Sequence, residues 1–280
     1  MSAQLAGHSE VGTIEPQGRE VRIERVRRLK VDRWFYIGTA VFMLLLSASG
    51  FGPSFVDASK RNAPPTSLVL THGLAAAAWL FLFLAQATLV ATRRTAVHRR
   101  VGRAAPVIAA LMIVLGYITV IEFAKRGYDL SGDVQRAPLP PGIPPPTGEQ
   151  FVAGMLGPLV GVVNFGILIA VGLWFRNRPE VHKRLMLLAV VSLAVTPIIH
   201  LSGNLVGRWP GLSGILSIAG PAFSIILLFI GAFHDKLSRG RVHPISVWVP
   251  ILLIAENFGL LPIVMQSATW RQLALWLVAE

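Results

Sequence analysis

The chain of 280 residues has no cysteine and few charged side chains. Without cysteine it cannot form disulfides, thiolate metal sites, iron–sulfur clusters or the covalent links of c-type haem. Charged residues make up 14% of the chain, against about 25% in a soluble domain. Hydrophobic residues make up 53% and lie in long blocks. The composition predicts an all-α, polytopic membrane protein.

Seven apolar blocks are long enough, or nearly so, to cross a bilayer, which takes about 20 residues for a hydrocarbon core of roughly 30 Å. No Lys or Arg lies inside them. The pattern predicts one helix followed by three helical hairpins, which together form a membrane domain over 34–265. The predicted spans are 34–51, 68–91, 105–122, 152–175, 185–205, 212–233 and 246–265.

The basic residues are unevenly distributed about these spans. Of 26 Lys and Arg residues, 19 lie on one side and seven on the other. Short basic loops stay in the cytoplasm, which predicts an inner N-terminus and an outer C-terminus in a bacterial inner (plasma) membrane. Anionic lipid is the expected partner of the basic face, and nucleic acid is not, because the tail has no aromatic residues. The basic segments are the tail 1–33 and the loops 92–104, 176–184 and 234–244.

Two further segments lie outside the predicted spans. The external loop 123–151 contains a proline-rich stretch, 138–146, which is expected to be extended. The segment 266–280 has Trp270 and Trp276 within a helical pattern of apolar residues, and this pattern predicts an amphipathic helix at the membrane interface.

Each basic loop between the spans contains a Val-His pair, at His98, His182 and His243. A histidine beside a helix start can hydrogen-bond the backbone or a lipid phosphate, and this structural role is the favoured interpretation. The alternative is a metal site with three histidine ligands. The cationic loops around these residues disfavour a second cation there.

Polar residues inside the apolar spans are the main candidates for function, because their burial in lipid is costly. Heptad spacing places His72, Trp79 and Gln86 on one face of the second span. Spacing by four places Thr196, His200 and Asn204 on one stripe of the fifth. The remaining members of this predicted polar pocket are Asn164, Glu256 and Asn257.

The favoured hypothesis for function is cofactor binding by His72 and His200. Helix geometry places them at similar depths, about 6 and 7 Å below the predicted outer edge. Two imidazoles from separate helices suit a b-type haem, or a metal ion if Glu256 supplies a third ligand. Alternatively, both histidines only bond neighbouring helices.

Two other functions remain open. The polar stripe could serve a small-solute or proton-coupled transporter, in which Glu256 is protonated, paired with Asn164 or His200, or part of a proton route. The glycine pairs Gly157/Gly161 and Gly203/Gly207 have GxxxG spacing, which predicts close helix packing. Such faces would also suit a non-catalytic subunit, an assembly factor or an oligomer. Hydrolase and P-loop motifs are absent from the sequence, and no catalytic residue is predicted.

Three sequence motifs carry a family resemblance. VHRRVG after the second span, RPEVHKRLMLLA at the start of the fifth and RGRVHPISVW at the start of the seventh resemble a group of uncharacterised bacterial seven-helix inner-membrane proteins. A looser likeness, through the histidine-bearing helices, is to haem-binding cytochrome b-type membrane proteins. That likeness implies at most one haem near the outer face, because Gln86 lies where a second ligand from the same helix would be expected.

Overall fold

The computed structural model describes residues 16–57, 64–127 and 148–279. The proline-rich stretch 138–146 and most of the external loop lie outside the described residues. Within them the fold is all-helical, with no strand, as the composition predicts. The α-helices are α1 (Pro16–Val56), α2 (Ser67–Ala91), α3 (Thr95–Val101), α4 (Ala105–Gly127), α5 (Gly148–Ala153), α6 (Leu156–Trp174), α7 (Pro179–Val191), α8 (Val195–Arg208), α9 (Ser213–Leu228), α10 (Ile230–Arg239), α11 (Ile245–Ala255), α12 (Leu261–Gln266) and α13 (Ala268–Ala279).

Seven segments of the described chain are long and apolar enough to cross a membrane. They coincide with the seven predicted spans, so the expectation of a multi-pass membrane protein is confirmed at this level. The segments are Trp34–Val56, Ser67–Ala91, Thr95–Arg126, Leu156–Trp174, Pro179–Arg208, Pro210–Leu228 and Ile245–Gln266.

The fifth span is the central one. Half of its most apolar stretch is buried, against 28% or less for each of the other six. Five consecutive α7 residues, from Leu187 to Val191, are buried on all sides, as expected of a helix surrounded by others. α1 and α9 pack against α8, and α6 packs against α7. Each of the other six spans exposes large apolar side chains, which suits contact with lipid.

Within the described residues, the fifth and the last span are interrupted in their middle. Between α7 and α8 lies a 3₁₀ turn, Ser192–Ala194, followed closely by Pro197, which has no N–H to donate to the carbonyl four residues before it. The last span contains a π-helical segment, Glu256–Leu260, between α11 and α12. Just after the sixth span, α9 and α10 are separated at Phe229, whose N–H donates to Ile226, three residues back instead of four.

A second, smaller core lies where α4, α5 and α13 meet. The Trp270 indole N–H donates to the carbonyl oxygen of Ala153 at 2.9 Å, and Ala274 is fully buried. Leu273 and Trp276 are exposed. The segment is helical, and this helix buries one face against protein while the other stays open. Its place at the membrane interface stays a prediction.

The glycines predicted to bring helices together do so only in part. A β-carbon at Gly157 would touch Leu261, but one at Gly161, Gly203 or Gly207 would meet no described atom within 4 Å. The close-packing prediction is therefore wrong for those three glycines within the described chain. The residues around the glycine, and not the spacing alone, decide whether a backbone approaches.

Candidate functional site

Glu256 and Asn164 form a polar pair between the last span and α6. The Asn164 amide donates to a Glu256 carboxylate oxygen at 2.6 Å, and both side chains are half-buried. Glu256 is the first residue of the π-helical segment. Such segments interrupt the regular backbone ladder and frequently occur at functional sites. The pairing is one of those that the sequence left open for Glu256.

Glu256 has no ion pair with a basic side chain of the described residues. A carboxyl group in an apolar span without a cation is costly as a carboxylate. The carboxyl group offers an oxygen that can accept the Asn164 hydrogen bond in either of its forms.

The other predicted pocket residues do not gather around Glu256. Asn204 donates to the Gly50 carbonyl oxygen of α1 at 2.8 Å, and Asn257 donates to Leu253 of its own helix at 2.7 Å. Thr196 is exposed. A groove of about 410 Å³ between α4 and α6 is lined by none of the predicted site residues. The pocket predicted from the sequence is thus a set of separate contacts.

His72 and His200 lie against different helices. The His72 ring lies 3.5 Å from where a β-carbon on Gly116 of α4 would be. The His200 ring packs on Phe51 of α1, with ring centroids 4.6 Å apart, and is otherwise exposed. The His72 Nδ1 atom is buried and has no hydrogen-bond partner among the described residues.

The described residues contain no group of three or more His, Asp or Glu side chains placed to hold a metal ion. Glu256 therefore does not join His72 and His200 as a third ligand there. The three loop histidines do not form a three-ligand group either.

Each loop histidine has a hydrogen-bond partner within the protein. His182 Nδ1 donates to the Gly172 carbonyl oxygen at 2.7 Å, and His243 Nδ1 accepts from the Ile245 N–H at 3.3 Å. The Gln86 amide, in the orientation that satisfies both its ends, donates to the His98 carbonyl oxygen at 3.1 Å and contacts His98 Nδ1. Burial and the nearby charge of Arg184 lower the pKa of His243. These contacts fix the turns between the helices.

One polar network of the described residues, which the sequence does not predict, joins four side chains or backbone groups. Arg184 of α7 and Asp235 of α10 are each 2% exposed and form a bidentate pair, with one Nε–Oδ2 bond of 2.9 Å. The Ser246 hydroxyl of α11 donates to the same Asp235 oxygen at 2.9 Å, and the His243 N–H donates to it at 3.3 Å. We call Arg184, Asp235 and Ser246 the buried cluster.

Glu180 continues this network toward solvent. It accepts from Arg184 at 2.7 Å, lies 3.3 Å from the Lys183 ammonium, and pairs with Arg239. Burial alone would raise the pKa of Asp235, but hydrogen bonds from Arg184 and Ser246 outweigh it and hold that pKa below its usual value. Asp235 is therefore a carboxylate at neutral pH, and Arg184 is its buried counter-ion.

One local signal for this network was present in the sequence. Glu180 and Arg184 are spaced i, i+4 at the start of a helix, which favours an ion pair. Asp235 is 51 residues further along the chain, and no local pattern joins it to Arg184. In the sequence, Arg184 is one of the basic residues that predict orientation in the membrane, and nothing near it indicates a buried partner.

No family model, curated protein or solved structure matches the chain.

Proposed function

We propose that this protein is a proton-coupled carrier of a small solute, in which Glu256 binds the proton. The observation that carries the proposal is the Glu256–Asn164 hydrogen bond inside two apolar spans. An ionisable residue in such a position is expensive, and carriers use such groups as proton relays. The charge distribution supports an inner-membrane location with the basic loops inside.

The interrupted helices support the same function. Carriers commonly place their sites at discontinuous spans near the middle of the membrane, where unwound backbone is available to bind. Here the interruption of the last span begins at Glu256 itself. Because the segment is π-helical, its backbone bonds are already displaced from the regular register, and a change in the charge of Glu256 would act on a backbone that can shift.

The test is proton movement in liposomes containing the purified protein. A pH-sensitive dye is trapped inside, a potassium diffusion potential drives protons inward, and a panel of small solutes is then added outside. We expect a solute-dependent change in internal pH with the wild type, and its loss with Glu256→Gln, which keeps the hydrogen bond from Asn164 possible but cannot titrate.

The matched control is Glu122→Gln, which removes a carboxyl group near the end of α4 away from the pair. It should leave proton movement unchanged. Proton movement that is the same in Glu256→Gln and in the wild type would overturn the proposal.

The cofactor hypothesis is the second candidate, and the unpartnered Nδ1 of buried His72 favours it. It expects a Soret band, or bound metal by elemental analysis, in protein purified in detergent. His72→Ala and His200→Ala should each remove it, whereas Asn257→Ala, at an exposed residue of the last span, should not. A colourless preparation free of metal would eliminate this candidate.

A further inference from the structure

We propose that the buried cluster of Arg184, Asp235 and Ser246 is a latch that keeps one end of the helix bundle closed, and that the carrier opens this end when the latch breaks. We call this end, at which the basic loops lie, the basic end. The inference deepens the proposed function and rests on it, because only a protein that opens needs a latch.

The latch joins α7 of the fifth span, α11 of the last span, and α10, which follows the sixth span. Asp235 of α10 receives its hydrogen bonds from Arg184 of α7 and from Ser246 of α11. Each of the three residues is 2% exposed. A buried ion pair gains little net stability over apolar packing, because both charges lose their hydration. Such a pair holds its partners in one specific geometry, and loss of either partner disrupts the whole interaction.

Each of these three helices borders an interruption of the helical backbone beyond the latch. Counting along the helices at 1.5 Å per residue, the interruption lies roughly 12 Å from Arg184, about 9 Å from Asp235 and about 15 Å from Ser246. The interruptions are those at Ser192–Ala194, Phe229 and Glu256–Leu260. The latch therefore holds the basic-end halves α7, α10 and α11 together, while the other halves can turn about the interruptions.

Glu180 is the part of the network that water reaches first. Its side chain is 48% exposed, yet it holds both Arg184 and Arg239. Ion pairs at such exposed positions are weak and exchange readily with water. Loss of the Glu180 contacts would leave Arg184 with Asp235 alone, so opening would begin there and proceed inward.

Leu187 lies directly behind the latch. Its side chain is 1% exposed and lies 3.2 Å from where a β-carbon on Gly231 would be, and the Ser246 hydroxyl lies 3.7 Å from the same point. Leu187 and Ser246 of the latch therefore pack at the same glycine, and separation of the latch helices would open Leu187 to water. This makes position 187 a reporter of whether the latch is closed.

The absence of cysteine from the chain allows a clean accessibility test. Leu187→Cys is introduced as the only thiol, the protein is placed in lipid nanodiscs, and its reaction with a water-soluble maleimide is timed. We expect slow reaction in the otherwise native protein. Added Asp235→Asn should speed it at least about tenfold, because removal of one partner from a buried ion pair is strongly disruptive.

Two milder variants guard against loss of the fold. Ser246→Ala and Glu180→Gln each remove one part of the network and leave the Arg184–Asp235 pair in place, so each should speed the reaction by less than Asp235→Asn. The matched control is Ala124→Cys, a probe that is 1% exposed in the separate core of α4, α5 and α13. Its reaction should stay slow in every variant.

Unchanged labelling at position 187 in all three variants would overturn the latch. A parallel rise at position 124 would also overturn it, since the cluster would then serve only to hold the whole protein folded. Labelling does not depend on transport, so it separates the two proposals. The variants could speed labelling at position 187 while Glu256→Gln leaves proton movement intact. In that case the carrier proposal fails and the latch proposal stands.

Discussion

Gly50 of α1 lies directly against the backbone of Pro197 in α8. A β-carbon on Gly50 would lie 2.5 Å from the Pro197 carbonyl oxygen and 3.0 Å from its Cα. The neighbouring Asn204 amide donates to the Gly50 carbonyl oxygen. The first and fifth spans therefore meet at a contact that only glycine permits.

Gly50→Ala should destabilise the protein, because the added methyl group meets backbone that cannot rotate away. Overpacking of this kind costs roughly 1–3 kcal/mol. The measurement is the Tm of detergent-solubilised protein, followed by tryptophan fluorescence. Gly52→Ala is the control, since a β-carbon there meets no described atom within 4 Å. Equal Tm values for the two variants would contradict the close approach.

The hydrogen bond from Trp270 to Ala153 should hold α13 against α5. Trp270→Phe keeps an aromatic ring but removes the donor and leaves a buried carbonyl oxygen without its partner, which costs roughly 1–3 kcal/mol. We expect faster proteolytic release of the C-terminal helix. Trp276→Phe, at an exposed position, should not change the rate, and a similar acceleration in both variants would count against a docked helix.

The spans were predictable because their signal is local. A block of about 20 apolar residues has few alternatives to a membrane helix. Each predicted block overlaps one of the seven apolar helical segments of the described chain. The interruptions were harder to predict, because a proline in the sequence does not mark them reliably. Pro221 leaves α9 continuous, whereas Pro197 follows a 3₁₀ turn. A proline disturbs a helix only where neighbouring groups do not compensate for the lost bond.

Within the candidate site, only the polar residues that interrupt an apolar span could be predicted from the sequence. Glu256 and Asn164 stand out because polar groups are rare in these spans, and their pairing was one of several open possibilities. Arg184 and Asp235 did not stand out, because they lie in charged loops where most residues face water. Their burial depends on the packing of α7 between α10 and α11, which no local pattern encodes.

The buried cluster should make the stability of the folded protein decrease at acidic pH. The pKa of Asp235 is lower in the folded protein than its usual value, which is about 3.9 when unfolded. The carboxylate therefore contributes its full stability above about pH 4, and that contribution is lost as pH falls through the folded pKa. We expect the wild-type Tm to fall when the pH drops below about 4.

Asp235→Asn should weaken this dependence and lower the Tm at neutral pH, because Arg184 then keeps only the exposed Glu180 as a counter-ion. The pKa of Glu180 is lowered to about 2, so part of the acidic fall should remain. Loss of one partner from a buried pair costs about 3–5 kcal/mol. The measurement is the Tm of both proteins across an acidic and a neutral pH series. Ser246→Ala is the matched control: it loses one hydrogen bond to Asp235, worth about 1 kcal/mol, and should keep the acidic fall. Parallel pH curves for Asp235→Asn and the wild type would show that the carboxylate does not contribute as the geometry requires.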